Sequence, residues 1–528
     1  MAGARPPWKP KSLLLPTATS FLRLQAQRLG DERGIVYEDR LWPYSAIADL
    51  AEELAAFLRA AGCADHARVA FRVANSPLAV ACHYAAWTLG GVAVPIGIRT
   101  TPEEMREALE RTMAQALVLD DVSVAALESV WRELEAPVVA AGSVPGAAVR
   151  IMHRSRASGS RGSQGSRQAP AAVLASTSGT TGTPKTVMLS HANLFWSALA
   201  CSSARGDNGT EIGAAISLLS HTPVFVSHVL CRILFGATVV MFPRFDLEEI
   251  LWAAARYGIT DLTLIGGMVA DVVARGRVPA PVEERVRKVS VGGAFTPMDA
   301  KSSLREIFPR AEIIEAYGQS EATDGVTMAR GGEVFDRPGT IGRQNPHVIV
   351  RIRKSDGSWA APGEEGEIVI GGPTVMLGYW RNRRATHQVL RDGWLHSGDL
   401  GRGDEDGFFY ITGRIKNLII TGGENVSPVE VETVLRRHPA VAEVAVIGTP
   451  HPKWGEQVTA VIVPRPGATP SAEDIAEFAG RHLAGFKKPR RVEFVASLPR
   501  NAANKVDLAT LKSWFVSPGT AATLTKGG

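Results

Sequence analysis

Ser176-Thr-Ser-Gly-Thr-Thr-Gly-Thr-Pro-Lys185 directly follows an apolar stretch, residues 171–175, that reads as a buried strand. Glycines let backbone N–H groups close around phosphate oxygens, the hydroxyls add further donors, and a lysine neutralises charge. The stretch is not a Walker A loop, because Pro184 precedes Lys185 where that motif requires glycine. A strand that runs into such a loop predicts an α/β fold that binds phosphate groups.

Helix-like and strand-like segments alternate on both sides of this loop. Residues 46–60 carry apolar residues at helical spacing, 67–73 read as a strand, 76–89 as a second helix and 91–96 as a second strand. The alternation continues to residue 139 and resumes from 171 to about 316. This pattern predicts doubly wound α/β subdomains within a large N-terminal domain, residues 1–413.

The rest of the chain has a different pattern. A β-rich stretch from about residue 339 to 411 contains Asp-Gly turn signals and predicts a β-rich subdomain. The residues after it read as a small α+β unit, which predicts a mobile C-terminal domain at 414–528. Residues 154–169 consist almost entirely of polar residues and glycine, and they predict a flexible surface loop.

Composition excludes several classes of protein. The 528 residues carry a formal net charge of +5, and no basic stripe interleaves with aromatic residues, so nucleic acid is not expected as a partner. Cys63, Cys82, Cys201 and Cys231 have neither metal-site nor disulfide-framework spacing, so a cytoplasmic protein is expected. The longest uncharged run, residues 212–231, contains several polar residues and is interpreted as a buried strand-and-loop region, not a membrane span.

Six motifs in sequence order resemble those of the acyl-adenylate-forming superfamily, which includes acyl-CoA synthetases, non-ribosomal peptide adenylation domains and firefly luciferase. The first is the loop at 176–185. The other five are Glu315-Ala-Tyr-Gly-Gln-Ser-Glu321, Gly393-Trp-Leu-His-Ser-Gly-Asp-Leu400, Gly413-Arg-Ile-Lys-Asn-Leu-Ile-Ile420, Gly422-Gly-Glu-Asn-Val-Ser-Pro-Val-Glu-Val-Glu432 and Pro499-Arg-Asn-Ala-Ala-Asn-Lys505. The resemblance covers roughly residues 20–512 and is to the acyl-CoA synthetase branch.

This resemblance implies a set of residues that bind ATP and its partner substrates. The implied set is Thr177, Ser178, Gly179, Thr180, Thr181, Gly182, Lys185, Gly293, Ala294, Glu315, Ala316, Tyr317, Ser320, Asp399, Arg414, Lys416, Gly422 and Gly423. The hydroxyls of the loop and Lys185 would hold the β and γ phosphates, and Ser320 would touch the α phosphate. Tyr317 would stack on adenine, while Asp399, assisted by Arg414, would accept hydrogen bonds from the ribose hydroxyls.

The resemblance also implies three catalytic residues: Lys505, Glu321 and Lys185. Glu321, with Thr181, would bind Mg²⁺, a hard cation that prefers carboxylate and phosphate oxygens. Lys505 would bridge the attacking carboxylate and the α phosphate as negative charge builds up. In the family the C-terminal domain then rotates about a hinge, here Lys416, withdraws this lysine and presents the Gly422-Gly423 loop to a thiol.

The implied acyl pocket departs most from the family pattern. It comprises Val226, His228, Gly266, Gly267 and Gly292. Val226 stands at the position of the histidine in the Pro-x-Phe-His segment of many acyl-CoA ligases, and Gly266-Gly267 replace a Pro-Thr or similar pair. These departures favour a specialised acid. Thr186 and Asn504 also stand where the family usually has glycine.

The predicted function is an ATP-dependent carboxylic acid:CoA ligase, which forms an acyl-AMP and pyrophosphate and then a thioester with CoA. ATP, Mg²⁺ and CoA are the expected cofactors and co-substrate, and a small-molecule carboxylic acid is the expected substrate. The segment Gly485–Phe494 and Trp454-Gly-Glu456 resemble CoA-ligase forms of these regions. The protein is expected to be a monomer or a homodimer.

Two alternatives remain open. The first is a stand-alone adenylation enzyme that loads the acid onto a phosphopantetheinylated carrier protein in trans, because no carrier domain is fused. Its acid would not be an α-amino acid, because the pocket segment lacks the Asp that holds an α-ammonium group in such domains. The second is an inactive homologue that acts as a binding protein. Retention of Lys185, Glu321, Asp399, Arg414 and Lys505 together argues against inactivity.

Overall fold

The computed structural model describes residues 18–154, 171–176, 185–500 and 506–515. Several predicted features lie outside these residues: the loop at 154–169 except for Arg154, Asn504, the catalytic Lys505 and the phosphate-loop residues Thr177, Ser178, Gly179, Thr180, Thr181 and Gly182. The structure therefore describes the residues on either side of the phosphate loop: the strand that ends at Ser176 and the chain from Lys185 onward.

The first part of the chain alternates helices and strands, as the sequence predicts. In chain order the elements are α1 (Ala18–Leu29), β1 (Gly34–Tyr37), β2 (Arg40–Pro43), α2 (Tyr44–Ala60), β3 (Arg68–Arg72), α3 (Pro77–Thr88), β4 (Val92–Pro95), α4 (Pro102–Thr112), β5 (Ala116–Leu119), α5 (Asp121–Ala126), α6 (Glu128–Trp131), β6 (Val138–Ala141), β7 (Val149–His153), β8 (Ala171–Ser176), β9 (Thr186–Ser190) and α7 (His191–Arg205). One buried apolar face of α2 packs in the core, whereas α3 is buried on nearly all sides, as expected of a helix that is apolar all round.

Alternation continues through the second part. Its elements are β10 (Ile212–Ala215), α8 (Thr222–Val224), α9 (Cys231–Phe235), β11 (Thr238–Met241), α10 (Leu247–Tyr257), β12 (Asp261–Ile265), α11 (Gly267–Arg275), α12 (Ala280–Arg285), β13 (Lys288–Gly292), α13 (Met298–Ile307), β14 (Glu312–Gly318), β15 (Gly325–Arg330) and α14 (Gly332–Asp336). A π-helical segment, Phe225–Leu230, joins α8 to α9. A single 3₁₀ turn, Ser320–Ala322, lies between β14 and β15.

The β-rich stretch and the C-terminal unit also form. The former contains β16 (Thr340–Gln344), β17 (Ile349–Arg353), β18 (Glu365–Gly371), β19 (Gly378–Tyr379), α15 (Arg383–Val389), β20 (Leu390–Arg391), β21 (Trp394–Gly403) and β22 (Phe409–Arg414). The latter contains β23 (Ile419–Thr421), β24 (Glu424–Val426), α16 (Pro428–Leu435), β25 (Val441–His451), β26 (Gly455–Pro464), α17 (Ala472–His482), β27 (Arg491–Phe494) and α18 (Leu508–Ser513).

Three sheets organise these elements within the described ranges. In the first, eight strands run in the order β19-β9-β8-β4-β3-β5-β6-β7, and its central strands from β8 to β6 are parallel. The second has fourteen strands: a parallel part from β1 to β14, with β2 antiparallel at one edge, continues through β15 and β16 into the antiparallel strands of the β-rich stretch. The third has five strands, β23 to β27. The predicted α/β fold class, with a large N-terminal part and a smaller C-terminal α+β part, is confirmed.

The interpretation of residues 212–231 as a strand and a loop is wrong in its second half. The strand β10 is present, but residues 222–235 form one continuous helical stretch with the π-helical segment at its centre. Val226, Val229 and Leu230 are fully buried there in the largest apolar core, so tertiary packing decides the helical state of a segment that Ser, Thr and Pro interrupt. In the chain as described, no helix is both long enough and apolar enough to cross a membrane.

Candidate active site

One end of the predicted ATP site is built by two long antiparallel strands. In the register of β21 and β22, Asp399 stands directly opposite Arg414, so their side chains are cross-strand neighbours. The Arg414 Nε donates to Asp399 Oδ1 at 2.5 Å, and the Tyr317 hydroxyl donates to Asp399 Oδ2 at 2.7 Å. Asp399 is only 1% exposed. We call these three residues the ribose end, after the predicted role of Asp399.

The electrostatics of the ribose end keep Tyr317 and Arg414 protonated. Burial, and then the neighbouring Asp399 carboxylate, raise the pKa of Tyr317 well above its usual range, so its hydroxyl remains a donor. Burial lowers the pKa of Arg414, but the charge and the hydrogen bond of Asp399, together with Tyr317 and Glu321, outweigh it and raise the pKa overall. Because each carboxylate oxygen has two lone pairs, Asp399 can accept further hydrogen bonds from a pair of hydroxyls on a ligand.

A second carboxylate, which the sequence analysis did not single out, shapes the turn that carries Asp399. Glu367 on β18 accepts a hydrogen bond from the Gly398 N–H at 3.0 Å through one oxygen, and its other oxygen lies 2.6 Å from His396 Nδ1. The Ser397 hydroxyl bonds the Ile368 carbonyl at 2.6 Å. The three residues directly before Asp399 are thus all bound to β18.

The opposite end of the site contains Lys185 and Glu321, which are joined through a residue absent from the predicted set. The Lys185 Nζ lies 4.9 Å from the ring centroid of Tyr379, within cation–π distance. The Tyr379 hydroxyl donates to Glu321 Oε1 at 2.8 Å. Burial, and then the charge of Glu321, raise the pKa of Tyr379, so this hydroxyl stays protonated. We call Lys185, Tyr379 and Glu321 the phosphate end.

Tyr379 is held in place by backbone hydrogen bonds on both sides of the site. The Met376 N–H donates to the Glu321 carbonyl at 2.9 Å, and the Leu377 N–H donates to the Met188 carbonyl at 2.9 Å. In the register of β19 and β9, Tyr379 lies opposite Val187. Residues 376–379 therefore connect the strand that leaves the phosphate loop to the turn that carries Glu321.

A metal ion would find one carboxylate here and not a preformed cage. In the described residues, no group of three or more His, Cys, Asp or Glu side chains is arranged to hold a metal. Mg²⁺ keeps several waters and commonly uses one or two carboxylates together with substrate phosphates. Glu321, half-buried and close to Lys185 through Tyr379, fits that mode of binding.

Charged residues at both ends of the site affect the pKa of Lys416. It lies in a 3₁₀ turn, Ile415–Asn417, immediately after β22. Burial and the Arg414 charge lower the pKa of Lys416, Lys185 adds to this effect, and Asp399 and Glu321 oppose it. The predicted hinge residue is therefore electrostatically coupled to charged side chains of both the ribose end and the phosphate end.

The glycine loop beyond the hinge has backbone angles that favour glycine. Gly422 has φ 61° and Gly423 has φ 89°. The Gly422 N–H donates to the Trp454 carbonyl at 2.9 Å, and a Cβ at residue 422 would lie 2.9 Å from the Trp454 ring. A side chain at position 422 would be strained twice, by its φ and by this contact.

The remaining residues of the predicted nucleotide set lie within the last part of β14 or follow the carboxyl ends of β13 and β14. Gly293 and Ala294 come directly after β13, Ala316 lies opposite Gly292 in the β13–β14 register, and Ser320 begins the 3₁₀ turn with Glu321. The side chain of Glu315 is engaged elsewhere, since its carboxylate pairs with Lys301 Nζ at 2.6 Å, with both groups buried. A nucleotide contact at residue 315 would therefore involve its main chain.

The predicted acyl-pocket residues come from two neighbouring places. Gly266 follows β12 with φ 54°, Gly267 opens α11, and Gly292 ends β13, so these glycines share the carboxyl edge of two adjacent parallel strands. Ligands of open α/β sheets bind at that edge. Val226 and His228 lie on the π-helical segment, and both are buried.

The chain matches two family models. Residues 22–380 match the model described as AMP-binding enzyme, and residues 430–505 match the model described as AMP-binding enzyme C-terminal domain. Among curated proteins, it is 32% identical over 482 residues to indoleacetate–CoA ligase of Aromatoleum aromaticum, covering 89% of this chain and 93% of that protein.

Solved structures have the same fold. The ATP-bound structure of MatB from Rhodopseudomonas palustris superposes with a TM-score of 0.84 at 28% identity, covering 95% of this chain and 99% of that one. The o-succinylbenzoate coenzyme A synthetase MenE from Bacillus subtilis, in complex with ATP and magnesium ion, superposes with a TM-score of 0.79 at 26% identity, covering 94% and 99%.

Proposed function

This chain belongs to the AMP-binding enzyme family, and we propose on that basis that it is an ATP-dependent carboxylic acid:CoA ligase that works through an acyl-adenylate. The observation that carries the proposal is the buried Asp399, held by Arg414 and Tyr317, facing a phosphate end made of Lys185, Tyr379 and Glu321. The similar proteins named CoA ligase or CoA synthetase support the same assignment.

The first half-reaction has to bring two anions together. A carboxylate oxygen of the acid attacks the α phosphorus of ATP, the bond to the β-phosphate oxygen breaks, and pyrophosphate leaves. Positioning and electrostatic stabilisation provide most of the catalysis in such a transfer. We assign Lys185 to the charge of the β and γ phosphates and Asp399 to the ribose hydroxyls. Mg²⁺, with Glu321 as its protein ligand, would neutralise phosphate charge when bound.

Lys505 is the residue we assign to the α phosphate, and we assign the loop residues Thr177, Ser178, Thr180 and Thr181 to the β and γ phosphates. These lie outside the described residues, so the assignment rests on their motifs alone. Replacing Lys505 with Ala should abolish acyl-AMP formation yet leave thioester formation from synthetic acyl-AMP intact. Normal acyl-AMP formation by this variant would refute the role.

In the second half-reaction the CoA thiolate attacks the acyl carbon, the bond to the AMP oxygen breaks, and AMP leaves. We propose that the C-terminal part, from residue 414, turns about Lys416 between the two half-reactions. One contact that such a turn would break is present: Arg436 of α16 lies 4.8 Å from the ring centroid of Phe295, which follows the Gly292-Gly293 pair.

We propose that CoA, and not a carrier protein, accepts the acyl group. One lysine of the basic segment predicted to favour CoA already forms an ion pair within the protein. Lys487 pairs with Glu430 at 2.7 Å on the wall of a cleft of about 1140 Å³ between α16, α17 and the strands β18 and β21. Arg353, Arg391 and Arg402 also line this cleft, but Glu365, Glu367, Asp392 and Glu430 line it too, so its charge is nearly balanced and the preference for CoA rests on the resemblance of residues 485–494.

The test follows each product separately. Purified protein receives a panel of carboxylic acids with ATP and Mg²⁺, and pyrophosphate release is measured with and without CoA. A saturable thioester at sub-millimolar CoA is expected. Acyl-AMP that ignores CoA but transfers to a phosphopantetheinylated carrier would move the protein to the carrier-loading class. No pyrophosphate with any acid, despite ATP binding, would support an inactive binding protein.

We propose three further features of the protein. We place the boundary between the two parts of the chain between residues 413 and 414, next to Arg414, the last residue of β22, and just before the 3₁₀ turn Ile415–Asn417. We propose a cytoplasmic location, because four free, buried cysteines suit a reducing compartment. The protein is proposed to act as a monomer or a homodimer, which size-exclusion chromatography with light scattering would resolve.

A further inference from the structure

The strand that carries Asp399 is irregular where it runs beside β18. The cross-strand pairs on either side, 367 with 400 and 369 with 396, leave one residue of β18 opposite residues 397–399 of β21. Such a bulge interrupts the regular ladder of hydrogen bonds and changes the direction of side chains, and bulges are over-represented next to active sites. The ribose end of the ATP site therefore includes a bulged residue.

Side chains take the place of the ladder within this bulge. The Asp399 N–H donates to the Ser397 hydroxyl oxygen at 3.0 Å, and that hydroxyl donates to the Ile368 carbonyl at 2.6 Å. The Gly398 N–H donates to a carboxylate oxygen of Glu367 at 3.0 Å. Backbone N–H groups need a partner once they leave water, and an ionised acceptor forms the stronger hydrogen bond. The Glu367 carboxylate therefore holds the bulge with a charge-assisted hydrogen bond.

The second oxygen of Glu367 binds the residue on the other side of the bulge. His396 Nδ1 lies 2.6 Å from Glu367 Oε2, and the half-exposed Arg391 lies 3.7 Å from the same oxygen. Only 14% of the Glu367 side chain and 11% of the His396 side chain are exposed. One largely buried carboxylate thus holds β21 at residue 396 and again at residue 398.

The backbone at Gly398 depends on this hydrogen bond for its orientation. Gly398 has φ 75°, an angle that favours glycine. A Cβ added there would meet no atom within 4 Å in the described part of the chain, so packing does not restrain the turn at this point. The hydrogen bond to Glu367 supplies the restraint that packing does not.

The carboxylate of Asp399 is held from the opposite side by other contacts. Arg414 lies across from it in the β22 register, and both Arg414 and Tyr317 donate to its oxygens. Hydrogen bonds weaken steeply as their angles depart from ideal values, so a small rotation of the bulge would misalign the remaining lone pairs of Asp399. Glu367 contacts the residues just before Asp399, and any effect it has on the site passes through them.

We propose that Glu367 is a positioning residue for the ribose of ATP. By holding the bulge at Gly398, it sets the direction in which the Asp399 carboxylate accepts the ribose hydroxyls, and Glu367 itself does not contact the nucleotide. The His396 ring keeps the Glu367 carboxylate in the orientation that Gly398 requires. This inference rests on the proposed function, because it takes Asp399 as the residue that binds the ribose.

The test compares two nucleotides that differ only in their ribose hydroxyls. Isothermal titration calorimetry in the presence of Mg²⁺ gives Kd for ATP and for 2′,3′-dideoxy-ATP, and it requires no knowledge of the acid. Because the hydroxyls donate to a charged acceptor, wild-type protein should bind ATP about 10-fold or more tightly than the dideoxy nucleotide. Asp399→Ala is the reference for a lost ribose contact and should bring this preference to about one.

Variants of Glu367 connect the preference to the bulge. Glu367→Ala should reduce it to about two or less by weakening ATP binding while Kd for dideoxy-ATP stays nearly unchanged. Glu367→Gln should recover most of the preference, because its amide oxygen can accept from Gly398 and its nitrogen can donate to His396. Glu365→Ala is the matched control, since Glu365 is an exposed acid on the same face of β18, and it should keep the wild-type preference.

A second variant covers the case in which Glu367→Ala does not fold, as judged by circular dichroism. His396→Ala releases one oxygen of Glu367 and leaves the other on Gly398, so its preference for ATP should lie between those of wild-type protein and Asp399→Ala.

The outcomes separate a positioning role from a structural one. If Glu367→Ala weakens both nucleotides by the same factor, or keeps the full preference for ATP, Glu367 does not position the ribose, and the ligase function stands. If wild-type protein does not bind ATP, or binds both nucleotides equally, the role of Asp399 in the proposed function is wrong, and the inference is wrong with it.

Discussion

The two ends of the ATP site are built in different ways. At the ribose end, Asp399 and Arg414 are opposite one another in a strand register, and Tyr317 completes the contacts of a carboxylate that is almost fully buried. At the phosphate end, Lys185 and Glu321 come from separate loops and are joined through Tyr379. A sheet fixes the first end, and a single side chain connects the second.

This difference has a consequence for function. Residues held by a strand register can shift only if the sheet itself deforms, so the ribose end should be preorganised before ATP binds. The phosphate end includes residues on loops and can adjust around a nucleotide and its metal ion. We therefore expect substitutions at the ribose end to cost more, and substitutions at the phosphate end to interact with each other.

The largest effect is expected for Asp399→Ala. This change leaves the Arg414 guanidinium and the Tyr317 hydroxyl without their shared acceptor and removes the predicted partner of the ribose. Losing a hydrogen bond to a charged acceptor costs about 1.5–3 kcal/mol, and both ribose hydroxyls would lose theirs, so kcat/KM for ATP should fall by about 100-fold or more. Steady-state pyrophosphate release with varied ATP measures it.

The chain offers a matched control for that variant. Asp404, just beyond the end of β21, is also bound by an arginine and a tyrosine, with Arg337 at 3.1 Å and Tyr410 at 3.0 Å. Asp404→Ala removes the same kind of contact away from the predicted site and should leave KM for ATP unchanged. Equal losses in the two variants would mean that Asp399 matters only for stability.

A smaller effect, confined to the metal, is expected for Glu321→Gln. The amide keeps the shape and can still accept the Tyr379 hydrogen bond, but it removes the negative charge that a hard cation prefers. The Mg²⁺ concentration for half-maximal activity should rise about 10-fold, the equivalent of about 1.4 kcal/mol. Glu312→Gln, which alters an acid paired with Arg330, serves as the control. An unchanged Mg²⁺ titration would contradict the assignment.

Tyr379→Phe tests the connection within the phosphate end directly. It keeps the ring beneath Lys185 and removes only the hydroxyl that orients Glu321, so KM for ATP should rise about 3- to 10-fold. Tyr379→Leu also removes the cation–π contact and should cost more. In a double variant with Glu321→Gln the effects should be less than additive, because both substitutions act on one contact. Additive effects would show that the Tyr379 hydroxyl does not act through Glu321.

The smallest expected effect is on the pH dependence of stability. It concerns Asp324, which follows Glu321 of the phosphate end by three residues. Asp324 lies near Cys201 and Arg205 from α7 and Ser227 from the π-helical segment, and burial raises its pKa to about 7. An unfolded Asp loses its proton near pH 4. Between about pH 4 and 7 the folded state therefore holds a proton that the unfolded state has lost, so stability falls as pH rises through this window.

Asp324→Asn removes this contribution. The midpoint of chemical denaturation should fall less between pH 5 and pH 8 for the variant than for the wild-type protein. An identical pH dependence in both proteins would show that the Asp324 carboxyl does not titrate in this range.

A feature of this structure can be predicted from the sequence when the pattern that indicates it lies within one short segment of the chain. The strand-loop motif around Ser176 and the alternation of periods predict the α/β fold, because each element carries its own pattern. Asp399 and Arg414 were predicted because each lies in its own motif. Tyr379 was missed, since its role depends on Glu321, 58 positions away in the chain, and on Lys185, and no local pattern carries that information.

The prediction for residues 212–231 was wrong for a related reason. Thr222 and Pro223 read as loop residues, yet they occupy the first turn of a helix, where proline is tolerated. The helix continues because Phe225, Val226 and Val229 fill the core beside α3 and α7. Likewise, the half-buried Asp324 was not recognised, because its neighbours Cys201 and Ser227 are brought to it only by the fold.

The central claim, that a carboxylate oxygen attacks the α phosphorus of ATP, is tested most directly with an acid labelled with ¹⁸O in its carboxylate. The reaction is run with ATP, Mg²⁺ and CoA, and the products are analysed by mass spectrometry. The account predicts that one labelled oxygen appears in AMP and none in pyrophosphate. Label in inorganic phosphate together with formation of ADP, or unlabelled AMP beside a labelled thioester only, would contradict it.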